Sequence, residues 1–179
     1  MLKLLSLFGG KRKSPQPATA AKLLAAQNFS RGTVGAILAA VMTIVLWVFI
    51  AMVFDRYFPW VSMLQGIVIG IAMQRGGSGL DWRFPTTAAV TTAIAAVAGS
   101  FFVALFLTGR EFNTGALALV DEISLYTVET FLLRDFGTVG LIYMAFAAAL
   151  AAFFANRRLL AGEAAALRRH MLAAPTDNH

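Results

Sequence analysis

The sequence contains no cysteine and only two histidines, His170 and His179. The missing cysteine excludes disulfides, thiolate nucleophiles, iron–sulfur clusters and cysteine zinc sites. Neither histidine has a second ligand at metal-binding spacing, so we expect no metal site. Charge is also scarce, since Asp, Glu, Lys and Arg make up 13% of the 179 residues, whereas hydrophobic residues make up 59% and the mean hydropathy is +0.72. This composition predicts a membrane protein.

Four apolar stretches are long enough to cross a hydrocarbon core about 30 Å thick, which takes roughly 20 helical residues. They cover residues 33–54, 58–74, 84–108 and 136–155, and none of them contains Asp, Glu, Lys, Arg or His. That absence removes proton relays, intramembrane ion pairs and axial haem ligands, and no nucleophile has a base within reach. We therefore expect no enzyme activity. The second stretch is the shortest, so a re-entrant segment is the alternative to a full span there.

The predicted fold is all-α, with a four-helix transmembrane domain over residues 33–155. A basic, interfacial segment precedes it over residues 1–32, and a helix and tail follow over residues 156–179. Twelve Lys and Arg residues lie on the side of the membrane that holds both termini and three lie on the other side, so the positive-inside rule predicts cytoplasmic termini. The expected location is a bacterial inner membrane, and the alternative is an organellar membrane. The residues expected at anionic lipid headgroups are Lys11, Arg12, Lys13, Arg157 and Arg158. A disordered tail is the alternative for the first segment.

Two connections between the predicted spans have distinct patterns. Apolar residues recur at helical spacing between Gly115 and Phe136, with acidic and polar residues between them, which predicts an amphipathic helix on the outer side. On the cytoplasmic side, the glycine-rich sequence at 76–79 lacks the Gly-Lys-Ser/Thr ending of a phosphate-binding loop. We expect a flexible helix connection there.

Small residues recur every three or four positions within three of the spans, a spacing that lets helices approach closely. The predicted packing residues are Gly66 and Gly70 in the second span, Ala88, Thr92, Ala95 and Gly99 in the third, and Ala145, Ala148, Ala149 and Ala152 in the fourth. Such faces indicate either a compact bundle or docking onto helices of another subunit.

Gln65 is the one strongly polar side chain expected well inside the hydrocarbon. Its amide has two donors and an acceptor to satisfy, so we predict a hydrogen bond across helices. The candidate partners are Thr43, Thr91, Thr92, Ser100 and backbone carbonyls. The alternative is that Gln65 is a polar point in a permeation path.

These exclusions favour a non-catalytic accessory, assembly or stabilising subunit of a larger membrane complex, with lipids and other integral membrane subunits as partners. The alternative is a homo-oligomeric channel or small-solute permease with a neutral polar path around Gln65. A third candidate is a surface adaptor that recruits partners through its basic tails. The net charge of +6 sits at the ends of apolar runs, so nucleic acid is not an expected partner. No cofactor is predicted, although lipid, quinone or pigment could fill grooves between helices without a charged partner.

Overall fold

The computed structural model describes Leu23 and residues 25–112 and 124–156, among which there is no strand. The helices are α1 (Phe29–Phe54), α2 (Val61–Gly77), α3 (Arg83–Glu111), α4 (Leu125–Thr130) and α5 (Gly137–Ala155). A π-helical segment, Phe131–Phe136, joins α4 to α5. All of them belong to one compact unit, Ala26–Arg157.

Three of the predictions fall wholly or partly on other parts of the chain. The residues expected at lipid headgroups, Lys11, Arg12, Lys13, Arg157 and Arg158, lie outside the described residues, as does the predicted C-terminal helix beyond Asn156. The first part of the predicted amphipathic helix, 115–123, lies outside them as well.

Three helices are long and apolar enough to cross a membrane, and they indicate a membrane protein. Helix α1 has 26 residues, α3 has 29 and α5 has 19. Helix α2 has 17 residues, which at 1.5 Å each gives about 25 Å and falls short of a hydrocarbon core of about 30 Å. It begins three residues after the start of the predicted second span, because residues 58–60 belong to the turn that precedes it.

The short helix α2 occupies the inside of the bundle. It packs against α1, α3 and α5, and α3 also packs against α1 and α5. Eight of the 17 residues of α2 are buried, compared with six of the 26 residues of α1. A helix enclosed by longer neighbours on three sides needs less length of its own to fit a bilayer.

Contacts near the helix ends show which ends lie together. We call one end the Phe84 end. There the backbone N–H of Asn28 donates to the Gly77 carbonyl at 3.0 Å, and the rings of Phe29 and Phe84 meet edge to face. At the same end, the side-chain amide of Gln74 donates to the backbone carbonyl of Asn156. Residues 28 and 156 therefore lie at the same end of the bundle.

The opposite end, which we call the Tyr57 end, holds the turn between α1 and α2. Asp55 ends α1 in the left-handed conformation, with φ +51°. The guanidinium of Arg110 donates to the Met52 carbonyl at 2.8 Å and lies 3.8 Å from the Asp55 carboxylate. Through Arg110, the end of α3 therefore contacts the end of α1.

The π-helical segment folds back on α3 at the Tyr57 end. Ser124 caps α4, since its hydroxyl accepts from the Thr127 amide. Phe131 and Phe136 are buried, and the Phe131 ring meets the Phe101 ring edge to face at 5.2 Å. The described part of the outer connection therefore covers α3.

Asn28 explains why α1 begins at Phe29, four residues before the predicted start. Its side-chain oxygen accepts from the Arg31 amide at 2.9 Å and satisfies one of the free N–H groups of the first turn.

Asn28→Ala is expected to lower the free energy of unfolding by about 1 kcal/mol, because it removes this cap while leaving the backbone contact with Gly77. The measurement is denaturant unfolding in mixed micelles. Asn28→Ser keeps a capping oxygen and is the control. An equal loss in both variants would contradict the capping role.

Candidate functional site

The interior contact between α2 and α5 is formed by two pairs of small residues. Gly66 faces the backbone of Ala147, and Gly70 faces the backbone of Ala151. A Cβ atom built on Gly70 would lie 2.6 Å from the Ala151 oxygen, and one on Gly66 would lie still closer to the Ala147 oxygen. The spacing of four on both helices is that of close helix pairs in membranes. The chain's own α5 fills the face formed by Gly66 and Gly70.

The buried line of α5 is displaced by one position along the helix from the predicted line. Its buried residues are Gly140, Ala147, Ala151 and Ala155. Of the predicted residues, Ala148 and Ala152 are half-buried beside this line, whereas Ala145 and Ala149 are exposed. The cause is that α5 carries alanine on several faces, so the direction of its contact depends on where α2 and α3 lie.

The small residues predicted for α3 lie on its buried side. Ala88, Thr92, Ala95 and Gly99 are all buried. Gly99 makes room for the indole ring of Trp47 in α1, since a Cβ atom there would lie 2.8 Å from the ring. Trp47 is 1% exposed. A glycine in α3 therefore allows the largest buried side chain of α1 to enter the bundle.

A second glycine contact, between α1 and α2, was not predicted. A Cβ atom on Gly32 would lie 3.0 Å from the Gly77 Cα, and one on Gly76 would lie 2.9 Å from the Arg31 carbonyl oxygen. The signal in the sequence is the pair Gly32 and Gly35, three apart in α1.

The glycine-rich connection is packed around an aromatic ring. Cβ atoms built on Gly77 and Gly79 would both enter the ring of Phe84, and Ser78 takes the left-handed conformation that ends α2. Packing therefore requires glycine at positions 77 and 79, since larger side chains there would displace Phe84. The sequence alone predicts only a flexible connection.

Gln65 lies in the interior at 1% exposure, and neither its Oε1 nor its Nε2 has a hydrogen-bond partner among the described residues. The predicted bond across helices is thus absent. The same holds for the Thr92 hydroxyl and the Trp47 indole nitrogen. Unpaired polar atoms are costly inside a protein and mark places where water or a ligand would be accommodated.

The other hydroxyls that could line a path with Gln65 have different neighbours. Thr43 donates to the carbonyl of Ala39 in its own helix at 2.8 Å. Ser100 accepts from the Tyr57 hydroxyl at 2.9 Å. Thr91 is half-buried. Within residues 25–112 and 124–156, no hydrogen bond joins these groups to the Gln65 side chain.

Tyr57 connects the turn to the interior, a role that sequence reasoning missed. Its ring stacks on Trp47 with 6.0 Å between ring centroids, and its hydroxyl bonds Ser100. Partial burial raises the pKa of Tyr57 above its ordinary value of 10.0, and the hydrogen bond with Ser100 partly opposes that effect. The phenol therefore stays neutral at physiological pH and remains a hydrogen-bond donor.

Gln65→Leu is expected to raise the free energy of unfolding by about 1–2 kcal/mol, because leucine removes two unpaired polar atoms at similar volume. Gln74→Leu is the matched control, since it deletes a bonded amide and should lower that free energy. Both changes are measured by unfolding in mixed micelles. A loss of stability in Gln65→Leu would show that its amide is satisfied after all.

No group of three or more His, Cys, Asp or Glu side chains that could hold a metal occurs in the described part of the chain. No family model matches the chain, and no curated protein or solved structure matches it either. Its role must be argued from the bundle itself.

Proposed function

We propose that the chain is a non-catalytic accessory, assembly or stabilising subunit of a larger integral membrane complex. The observation that carries the proposal is the composition of the interior. Its buried polar side chains are Ser62, Gln65, Thr92 and Ser100, and the described residues bury no ionisable side chain. Reactions and ion coupling within membranes depend on ionisable groups, so an interior of alanine, glycine and hydroxyls supports a structural role.

The outer face of α1 is the surface we assign to contact with other subunits. Only six of its 26 residues are buried. Large apolar side chains cover the rest of the helix, and they include Val34, Ile37, Leu38, Val41, Met42, Val45, Leu46 and Phe49. They lie along one side of α1 over several turns, where a helix of another subunit could pack against them. The glycine pair of α2 is already filled by α5, which leaves α1 as the longest open face.

In this proposal α2 counts as the fourth span and the Phe84 end is cytoplasmic. Arg31, Arg75 and Arg83 lie toward that end, in line with the excess of twelve basic residues over three in the whole sequence. The proposed location is a bacterial inner membrane, with both termini in the cytoplasm.

The alternative is a homo-oligomeric channel or small-solute permease. The unpaired polar atoms of Gln65 and Thr92 favour it, because a permeating solute could bond with them. Liposome flux separates the two functions. The accessory role predicts no flux in the wild type or in Gln65→Leu, whereas the channel predicts flux that depends on Gln65.

A photo-cross-linking residue at Met42 tests the accessory role in native membranes. Met42 is 69% exposed on the outer face of α1, and Ala36, at 0% exposure, is the buried control on the same helix. The proposal predicts one adduct of defined mass with a different membrane protein from position 42 and none from position 36. Adducts with lipid alone, or with a second copy of the chain alone, would contradict it.

A further inference from the structure

Two grooves adjoin along α3 near the Tyr57 end. The first is an apolar groove of about 590 Å³ between α3, the π-helical segment and α5, and its lining includes Ile94, Val97, Phe101, Leu132 and Met144. The second has a volume of about 350 Å³, and its lining is Tyr57, Ala104, Leu107, Thr108, Glu111 and Phe131. Phe131 lines both of them, so the two grooves are neighbours on α3. Their volumes lie in or near the range of ligand sites, about 300–1,000 Å³.

The two grooves differ in polarity. The first groove is lined by apolar side chains, whereas the lining residues of the second include Tyr57, Thr108 and Glu111. Val97, Phe101, Ala104, Thr108 and Glu111 follow one another on α3 at spacings of four, three, four and three, which places them along one side of the helix. The pair of grooves is therefore apolar toward the middle of α3 and polar toward its end, as an amphiphile requires.

The length of this side of α3 matches one leaflet. Val97 and Glu111 are 14 positions apart on α3, which at 1.5 Å per residue gives a rise of about 21 Å. Half of a bilayer including its headgroup region is about 20–22 Å thick. A single phospholipid would thus reach from the apolar groove to the polar one.

The charge at the polar groove selects the headgroup. Glu111 lies in the last turn of α3, where the carbonyl end of the helix already concentrates negative potential. The guanidinium of the neighbouring Arg110 is engaged by the Met52 carbonyl and the Asp55 carboxylate, and Arg110 does not line the groove. Among the described residues, no Lys or Arg forms an ion pair with the Glu111 carboxylate, so this groove favours an ammonium group over an anionic one.

We propose that these adjoining grooves bind one phospholipid with a primary ammonium headgroup, phosphatidylethanolamine, with an acyl chain in the apolar groove and the ammonium at Glu111. The lipid fills the apolar groove beside the π-helical segment and relieves the unfavourable charge at the end of α3. Segments of π-helix occur frequently at functional sites, and here the segment supplies Phe131, which lines both grooves.

The test is native mass spectrometry of the full chain titrated with dioleoylphosphatidylethanolamine or dioleoylphosphatidylglycerol, whose acyl chains are identical. We expect one ethanolamine lipid per chain, bound about three- to fivefold more tightly than the glycerol lipid, as an exposed ion pair provides. Glu111→Gln should remove this preference and leave the apolar groove open. Ala98→Phe should fill that groove and weaken binding of both lipids about tenfold.

Val45→Phe is the matched control, because it adds the same ring to another apolar groove, between α1 and α3, which shares Phe102 with the first groove but is lined by neither Ala98 nor Phe131. It should leave binding unchanged. Equal affinity of the wild type for both lipids, or an undiminished preference in Glu111→Gln, would overturn the proposal. The proposal would also be overturned if Ala98→Phe released a protein subunit that the wild type retains and left lipid binding unchanged.

Discussion

Gly66→Ala is expected to separate α2 from α5 and to lower the free energy of unfolding by about 3 kcal/mol, the upper end of the usual cost of overpacking. The new methyl group would overlap the backbone of Ala147, which cannot rotate away as a side chain could. The two helices must therefore move apart, and the pair formed by Gly70 and Ala151 is lost with them. Unfolding in mixed micelles measures the change.

The control for this prediction is Gly35→Ala. Its Cβ atom would lie 3.3 Å from the Ala72 oxygen, a tight contact that a small shift relieves. Alanine also favours a helix over glycine by about 1 kcal/mol, so this variant should be close to the wild type in stability. If both variants unfold alike, the close contact at Gly66 does not hold the bundle together.

Trp47→Ala is expected to lower the free energy of unfolding by about 3 kcal/mol, the low end of the range for a buried tryptophan. The indole fills the space that Gly99 leaves in α3 and carries the stacked ring of Tyr57. Lipid is as apolar as the interior, so the loss comes from packing contacts rather than from transfer out of water.

Trp82→Ala is the matched control, because Trp82 is 70% exposed. It should change the free energy of unfolding by less than about 0.5 kcal/mol. A small effect of Trp47→Ala, similar to that of Trp82→Ala, would mean that the interior near Tyr57 is loosely packed.

The ends of the helices could be predicted better than their contacts. The predicted ends at Phe54 and Ala155 coincide with those of α1 and α5, because a charged pair and an Asn-Arg-Arg sequence interrupt the apolar runs there. The start of α1 depends on the Asn28 cap and could not be read from hydropathy. Hydropathy locates apolar segments, whereas a cap depends on local hydrogen bonds.

The sequence does not determine how each helix is rotated about its own axis, and so which of its faces is buried. Alanine occurs at seven positions between residues 145 and 155 of α5, so several lines of small residues are equally compatible with its sequence. The structure buries Ala147, Ala151 and Ala155, since these face α2 and α3. The predicted bond of Gln65 is absent for the same reason. Whether an amide meets a hydroxyl depends on helix rotation, and sequence spacing does not determine it.

If the chain is a subunit of a larger complex, purification from native membranes in a mild detergent followed by native mass determination will show a particle that contains at least one different membrane protein in fixed stoichiometry. A homo-oligomer or a monomer that retains only lipid would contradict the proposed subunit role.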